Sequence, residues 1–299
     1  MGFFSLIFIY SYIFIFVLGT CIGSFINVVI DRVPKNKKLV NSRSNCPFCK
    51  KTLSFRDLLP LISFISLKGK CRYCKKSIDP TLPLVELLTG MIFVSVFAFN
   101  GNIFNLNFLG WVEKLYYLVI LCLLVAIFFM DLKYRIIEDK LVMVGIFTWV
   151  SYTLISKFLI LYSTYLDLRS DLFGVYLIKA GFLNNLVSRE AKSVLLTLIS
   201  AVLLLLFFYF LVVITKGRGM GGGDVKFSFL MGLILGFPKI IPAFFISFLT
   251  GALVGLILIL IGKKTIKQTI PFGPFLVMGT VSGFVLGDGI IAWYLKLLQ

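Results

Sequence analysis

Apolar runs of about twenty residues recur from one end of this chain to the other, and no other feature limits its fold so tightly. In hydrocarbon each backbone N–H and C=O must be paired internally, so runs of this length become helices. Candidate spans lie near residues 3–30, 84–100, 114–130, 141–162, 193–215, 225–237, 241–262 and 270–294, eight in all, and the expected fold is all-α and polytopic. A sequence that is 59% hydrophobic and 14% charged holds more apolar surface than one water-soluble core can hide. The opening run, Phe3 to Ile30, is too long for the apolar part of a signal peptide and lacks both a basic leader and a small-residue cleavage site, so it reads as the first span. The sixth run is short and stops at Gly236 and Pro238, as expected of a tilted span or one arm of a tight hairpin with the seventh.

Charge orients these spans. Residues 31–82 hold thirteen Lys or Arg, among them Arg32, Lys35, Lys37, Lys38 and Arg43, against Asp31, Asp57 and Asp79, which places the segment in the cytoplasm. Alternation then puts three further basic loops on the same side: 131–140 with Lys133, Arg135 and Lys140, 216–224 with Lys216 and Arg218, and 263–269 with Lys263, Lys264 and Lys267. Residues 163–192 face outward, and their mixed charges around Phe173, Val175, Tyr176 and Leu177 suggest an amphipathic piece at the interface. The net charge of +17 is thus a topology signal, with attraction to anionic headgroups of the lipid bilayer as a secondary effect. No basic, aromatic-interleaved soluble domain calls for nucleic acid. The expected division is a first transmembrane helix (1–30), a cytoplasmic loop domain (31–82) and a transmembrane core (83–299).

The chain has no histidine, so nucleophile systems that pass a proton through imidazole are excluded. Carboxylates, lysine and metal remain. Cys46 and Cys49 form one Cys-x-x-Cys pair and Cys71 and Cys74 another, with 21 residues between them. Two-residue spacers let both sulfurs of a pair face one ion, and two pairs complete a tetrahedral thiolate site suited to zinc. A disulfide framework is the alternative, but a cytoplasmic loop is kept reduced. Lys50, Lys51, Lys70, Arg72, Lys75 and Lys76 would offset the thiolate charge, and in a loop with few large apolar side chains the metal is expected to be structural. Cys21 and Cys122 stand alone in apolar runs and read as packed hydrophobes.

Thirteen acids are the remaining inventory. Asp131 follows directly on the run Ile120 to Met130, and Asp224 follows Gly219-Met220-Gly221-Gly222-Gly223, so both fall at cytoplasmic membrane boundaries. Two carboxylates meeting there would share one proton, the state in which one oxygen can take a proton from water while its partner polarises a carbonyl. Glycines before Asp224 let backbone approach an extended substrate closely, although an ordinary flexible turn has the same composition. Glu138 and Asp139 share a loop with Asp131 and are fallback candidates, Glu86 lies where an acid needs a partner or a role, and Asp31 sits beside Arg32 at the end of the first span.

The order Gly23-Ser24-Phe25-Ile26-Asn27-Val28-Val29, the two Cys-x-x-Cys pairs, Pro83-Leu84-Val85-Glu86-Leu87-Leu88-Thr89-Gly90, Asp131, Gly219-Met220-Gly221-Gly222-Gly223-Asp224-Val225-Lys226 and Pro271-Phe272-Gly273-Pro274 resembles the bacterial type IV prepilin peptidases over nearly the whole chain. The resemblance implies a GxGD-type membrane aspartic protease in the cytoplasmic (inner) membrane. It would cut basic leaders from type IV prepilins and the pseudopilins of type II secretion, after a glycine, on the cytoplasmic side. In its bifunctional members the new amino terminus is methylated with S-adenosylmethionine. It assigns catalysis to Asp131 and Asp224, a supporting active-site loop to Gly221, Gly223 and Lys226, and a methyl-transfer position to Gly69 and Lys70. Three places depart from the family pattern: Glu138 stands where a proline often precedes Asp139, Gly222 replaces an aromatic, and Thr81-Leu82 replaces Arg-Tyr. These departures bear on the substrate groove and on methyl transfer rather than on the acids. The competing expectations are a peptidase without methyltransferase activity, a proton- or cation-coupled transporter using the same two acids, and a non-catalytic assembly factor that docks through its zinc loop.

Overall fold

In a computed structural model the protein is described over residues 2–39, 43–98, 107–217, 220–262 and 270–298. Ten α-helices account for most of these: α1 (Gly2–Arg32), α2 (Ile62–Ser66), α3 (Thr81–Ala98), α4 (Phe108–Tyr134), α5 (Asp139–Ser170), α6 (Leu172–Lys179), α7 (Phe182–Ile214), α8 (Gly222–Leu235), α9 (Ile240–Leu260) and α10 (Gly273–Leu297). Seven of them are long and apolar enough to cross a membrane. The basic loop at 263–269, and Arg218 and Gly219, lie outside the described residues.

The sixth expected span is α8, and its 14 residues extend only about 21 Å at 1.5 Å each, short of a hydrocarbon core of about 30 Å. It is instead a core helix. Phe227, Leu230, Met231 and Leu233 are buried around it. Gly232 lets it meet α7, where an added methyl group would stand 2.4 Å from the Ala201 Cα, and Gly145 on α5 receives the Leu230 side chain in the same way. Gly236, at a φ of 63°, ends the helix.

The outward-facing segment also differs from expectation. α5 and α7 continue as helix well past their apolar runs, to 32 and 33 residues, and both therefore exceed the bilayer core in length. Only the short α6 between them matches the expected amphipathic piece, with Leu172, Phe173 and Tyr176 exposed. Lys157 and Glu190 pair across α5 and α7 in this extension.

By internal contacts the chain divides into two compact units, residues 1–130 and 131–299. In the first, α1 packs on α3 through small residues. A methyl group on Gly23 would lie 2.7 Å from the Glu86 Cα, and one on Gly90 would lie 2.8 Å from the Phe16 ring, so the helices meet at near-backbone distance. Gly19 and Gly23 thus form a Gly-x-x-x-Gly contact face. Asn27 adds a hydrogen bond from its Nδ2 to the Leu82 carbonyl at 3.0 Å. Lys114, buried on α4, donates to the Val96 carbonyl at 2.7 Å at the end of α3. Replacing Gly23 with valine should push α1 from α3 and destabilise the unit by roughly 1–3 kcal/mol, visible as a lower unfolding temperature in detergent.

Candidate active site and metal centre

The four cysteines converge in the first unit. Their sulfurs all lie within 4.8 Å of one another, and Cys46 and Cys74 Sγ are 3.8 Å apart. A tetrahedron with metal–sulfur bonds of about 2.3 Å has sulfur–sulfur edges of about 3.8 Å, whereas a disulfide holds its sulfurs about 2.05 Å apart. The donor set therefore fits a thiolate-bound metal, and all four cysteines are free.

The local chain explains the convergence. Each pair sits in the same turn: the Lys50 amide donates to the Cys46 carbonyl at 3.0 Å, and the Lys75 amide to the Cys71 carbonyl at 2.9 Å. Lys50 and Lys75 take the left-handed conformation that closes each turn. The two knuckles then exchange contacts. Lys51 Nζ lies 4.9 Å from the Tyr73 ring centre of the second knuckle, and Lys76 Nζ lies 4.7 Å from the Phe48 ring centre of the first. Amides of Cys49 and Phe48 directed at the Cys46 sulfur outweigh its burial and hold that thiol down at about 6, ready to ligate as thiolate.

Asp57 locks the second knuckle to the chain between the pairs. Burial pushes its carboxyl up, but Arg72 Nε at 2.7 Å, Ser54 Oγ at 2.8 Å, the Ser54 amide at 3.1 Å and Tyr73 OH at 3.1 Å together hold it down at about 2. Asp57→Ala should cost this loop roughly 2 kcal/mol and speed the loss of its metal to a chelator. The loop is also strapped to α3, because Glu86 accepts the Leu61 amide at 2.9 Å and interacts with Ser24. That answers the need of Glu86 for a partner.

Beside the knuckles, Ser66, Leu67, Lys68, Lys70, Cys71 and Lys75 line a cavity of 280 Å³. Lys70 is on its wall. The neighbouring Gly69, at a φ of 69°, turns the chain against the Phe64 ring.

The second unit brings Asp131 and Asp224 together. Asp131 lies in the last turn of α4, where Arg135 at a φ of 57° ends the helix and donates its amide to the Asp131 carbonyl at 2.9 Å. Asp224 lies in the first turn of α8, its Oδ2 accepting the Gly221 amide at 3.2 Å, so it caps the helix that carries it. Both are buried, at 5% and 8% exposure, and Asp131 is close enough to act electrostatically on Asp224. Asp131 Oδ2 has no hydrogen-bond partner among the described residues.

Of the residues that bring these acids close, Ile137 had no role in the sequence reading, and Lys226 had one only through the family resemblance. Ile137, buried between Asp131 and α5, touches both glycine segments: a methyl group on Gly223 would lie 3.0 Å from its Cβ, and one on Gly273 would lie 3.1 Å from its Cδ1. Its signal was membership of the apolar pair Ile136-Ile137 in a charged loop. Lys226 reaches Asp139 with its Nζ 2.6 Å and 2.7 Å from the two oxygens, pinning α8 to the start of α5. Asp139 is thus engaged as an ion-pair partner, and both side chains are more than half exposed.

Residues 17–99 match the bacterial peptidase A24 N-terminal domain and residues 153–256 match the type IV leader peptidase family. A prepilin leader peptidase/N-methyltransferase of Bacillus subtilis (strain 168) is 30% identical over 283 residues, covering 95% of this chain and 97% of that protein. The protein of that name in Aeromonas salmonicida (strain A449) is 29% identical over 319 residues, covering 98% and 94%. The one in Myxococcus xanthus (strain DK1622) is 39% identical over 140 residues, covering 46% and 39%. No solved structure matches.

Proposed function

The chain belongs to the family of prepilin leader peptidase/N-methyltransferases, and from that premise we propose that it removes the leaders of type IV prepilins and pseudopilins with Asp131 and Asp224, then methylates the new amino terminus. The observation that carries this reading is the pair of buried carboxylates, each at a helix end, with one oxygen of Asp131 unpaired among the described residues. Two charges so close in a poorly hydrated site favour a single shared proton, and the groups titrate as a pair. The ionised member takes a proton from water, whose oxygen attacks the scissile carbonyl carbon. The protonated member donates to the carbonyl oxygen, and as the C–N bond breaks the departing nitrogen takes up a proton.

Gly221 and Gly223 keep the approach to Asp224 free of side chains, and Lys226 fixes the helix that bears it through Asp139. A prepilin with a basic leader in the cytoplasm and an apolar helix in the bilayer presents its scissile bond at the depth of such acids. The basic loops support an orientation in which the active site and the cysteine loop face the cytoplasm, across a bacterial inner membrane. Cys46, Cys49, Cys71 and Cys74 would hold a structural zinc ion. S-adenosylmethionine supplies the methyl group when bound, and Lys70 on the adjacent cavity wall, with Gly69 shaping the turn, supports a place for it there.

Incubation of the purified protein with a prepilin and S-adenosylmethionine, followed by mass spectrometry of the product, reads both steps. A leaderless chain carrying one added methyl group is expected. Intact prepilin would overturn the peptidase reading, and a leaderless chain without the methyl group would leave a peptidase alone.

A further inference from the structure

Gly273 begins α10 directly against Asp131. A methyl group built on it would stand 2.6 Å from Asp131 Oδ2 and 3.0 Å from Asp131 Cγ, inside non-bonded contact. The Gly273 amide faces the same carboxylate. The next residue, Pro274, has no N–H to offer, and the amides of Phe275 and Leu276 turn back to the Phe272 carbonyl at 3.0 and 3.2 Å. The start of α10 therefore directs one amide at one acid. Asp131 needs such a partner because it sits in the last turn of α4, where the helix dipole opposes negative charge, and the positive end of α10 and Arg135 compensate.

The two acids are held differently. Asp224 Oδ2 is occupied in capping its own helix, whereas Asp131 Oδ2 is buried and, among the described residues, unpaired. We infer that Gly273 is a positioning residue for leader cleavage: the first turn of α10 seats Asp131 so that this oxygen stays free to accept a proton from the attacking water, and only glycine leaves room for it. The inference rests on the reading of Asp131 and Asp224 as the catalytic pair. Misplacing a proton acceptor by about 1 Å slows the chemical step by about 100-fold without touching the surfaces that bind leader or apolar helix.

The test compares Gly273→Ala, Asp131→Asn and, as a control on α9, Gly255→Ala, whose added methyl group would meet nothing nearer than 3.6 Å. Rates with a prepilin and thermal unfolding in detergent are measured for each. Gly273→Ala should lose about 100-fold in kcat with KM within about twofold and an unfolding temperature near that of the native protein, while Gly255→Ala matches the native enzyme. Native kcat in Gly273→Ala with Asp131→Asn inactive would overturn the role of Gly273 alone, and activity in Asp131→Asn would overturn the catalytic pair itself. Loss of stability in Gly273→Ala is met by adding Ile137→Ala, which removes the 3.1 Å contact and leaves the one to Asp131. A double variant that folds but stays about 100-fold slower than Ile137→Ala alone supports the inference. One that regains native kcat, or remains unfolded, shows that the glycine serves packing and overturns it.

Discussion

Asparagine in place of either Asp131 or Asp224 should lower leader cleavage by about 1,000-fold or more, and the double variant should be little worse than either single one. The substitution keeps volume and shape. In Asp224→Asn the side-chain carbonyl oxygen can still accept the Gly221 amide that caps α8, and in Asp131→Asn the side chain can still face the start of α10. What disappears is the ability to hold and pass one proton between the two groups, and a pair that has lost one member has lost the function of both. Metal content and unfolding temperature should therefore stay native while cleavage, followed by mass spectrometry of a prepilin, vanishes. Near-native cleavage in either variant would remove that acid from the reaction. A contrasting expectation holds for Lys226→Ala: its ion pair with Asp139 is exposed, such pairs contribute about 0.2–1 kcal/mol, and the loss in rate should stay within about tenfold.

Apolar run length and the steric demand of particular residues divide what was legible in the sequence from what was not. Hydropathy located seven spans, because hydrocarbon enforces helix wherever about twenty apolar residues run together. It misjudged α8, since a helix buried mostly by protein is as apolar as one facing lipid and only its 14-residue length tells them apart. It stopped α5 early and started α7 late, because helix runs through Asp167 and Arg169 or Arg189 and Glu190 beyond the apolar runs, and charge does not interrupt backbone pairing. At the site, acids and cysteines stand out because their types are few and their spacing is chemical. Ile137 and Gly273 did not stand out as neighbours of Asp131, because their importance lies in distances to residues far along the chain, and spacing does not encode those. Glu86 drew notice as a costly group, but its partner, the Leu61 amide, is a backbone atom that no residue type announces.

Serine at Cys46 and Cys71 together should take the protein from one bound zinc to none, abolish methyl transfer and leave leader cleavage within a few-fold of native. The expected loss is large because the loop has almost no core without its metal. Among described residues from 43 to 80, the buried side chains of the hydrophobic class are Cys46 and Cys71 themselves. Binding of a structural zinc ion contributes about 10 kcal/mol or more, far beyond the Asp57 network or the two cation–π contacts, which cannot hold the knuckles alone. The wall of the Lys70 cavity includes Cys71, so it should collapse with the knuckle that forms it. Asp131, Asp224, Ile137 and Gly273 all belong to residues 131–299, and the contacts that seat the two acids come from that unit. Zinc measured by atomic absorption, with cleavage and methylation scored on the same product, separates the two dependences. Cleavage that fell in step with zinc would mean that the metal loop also supports the acids.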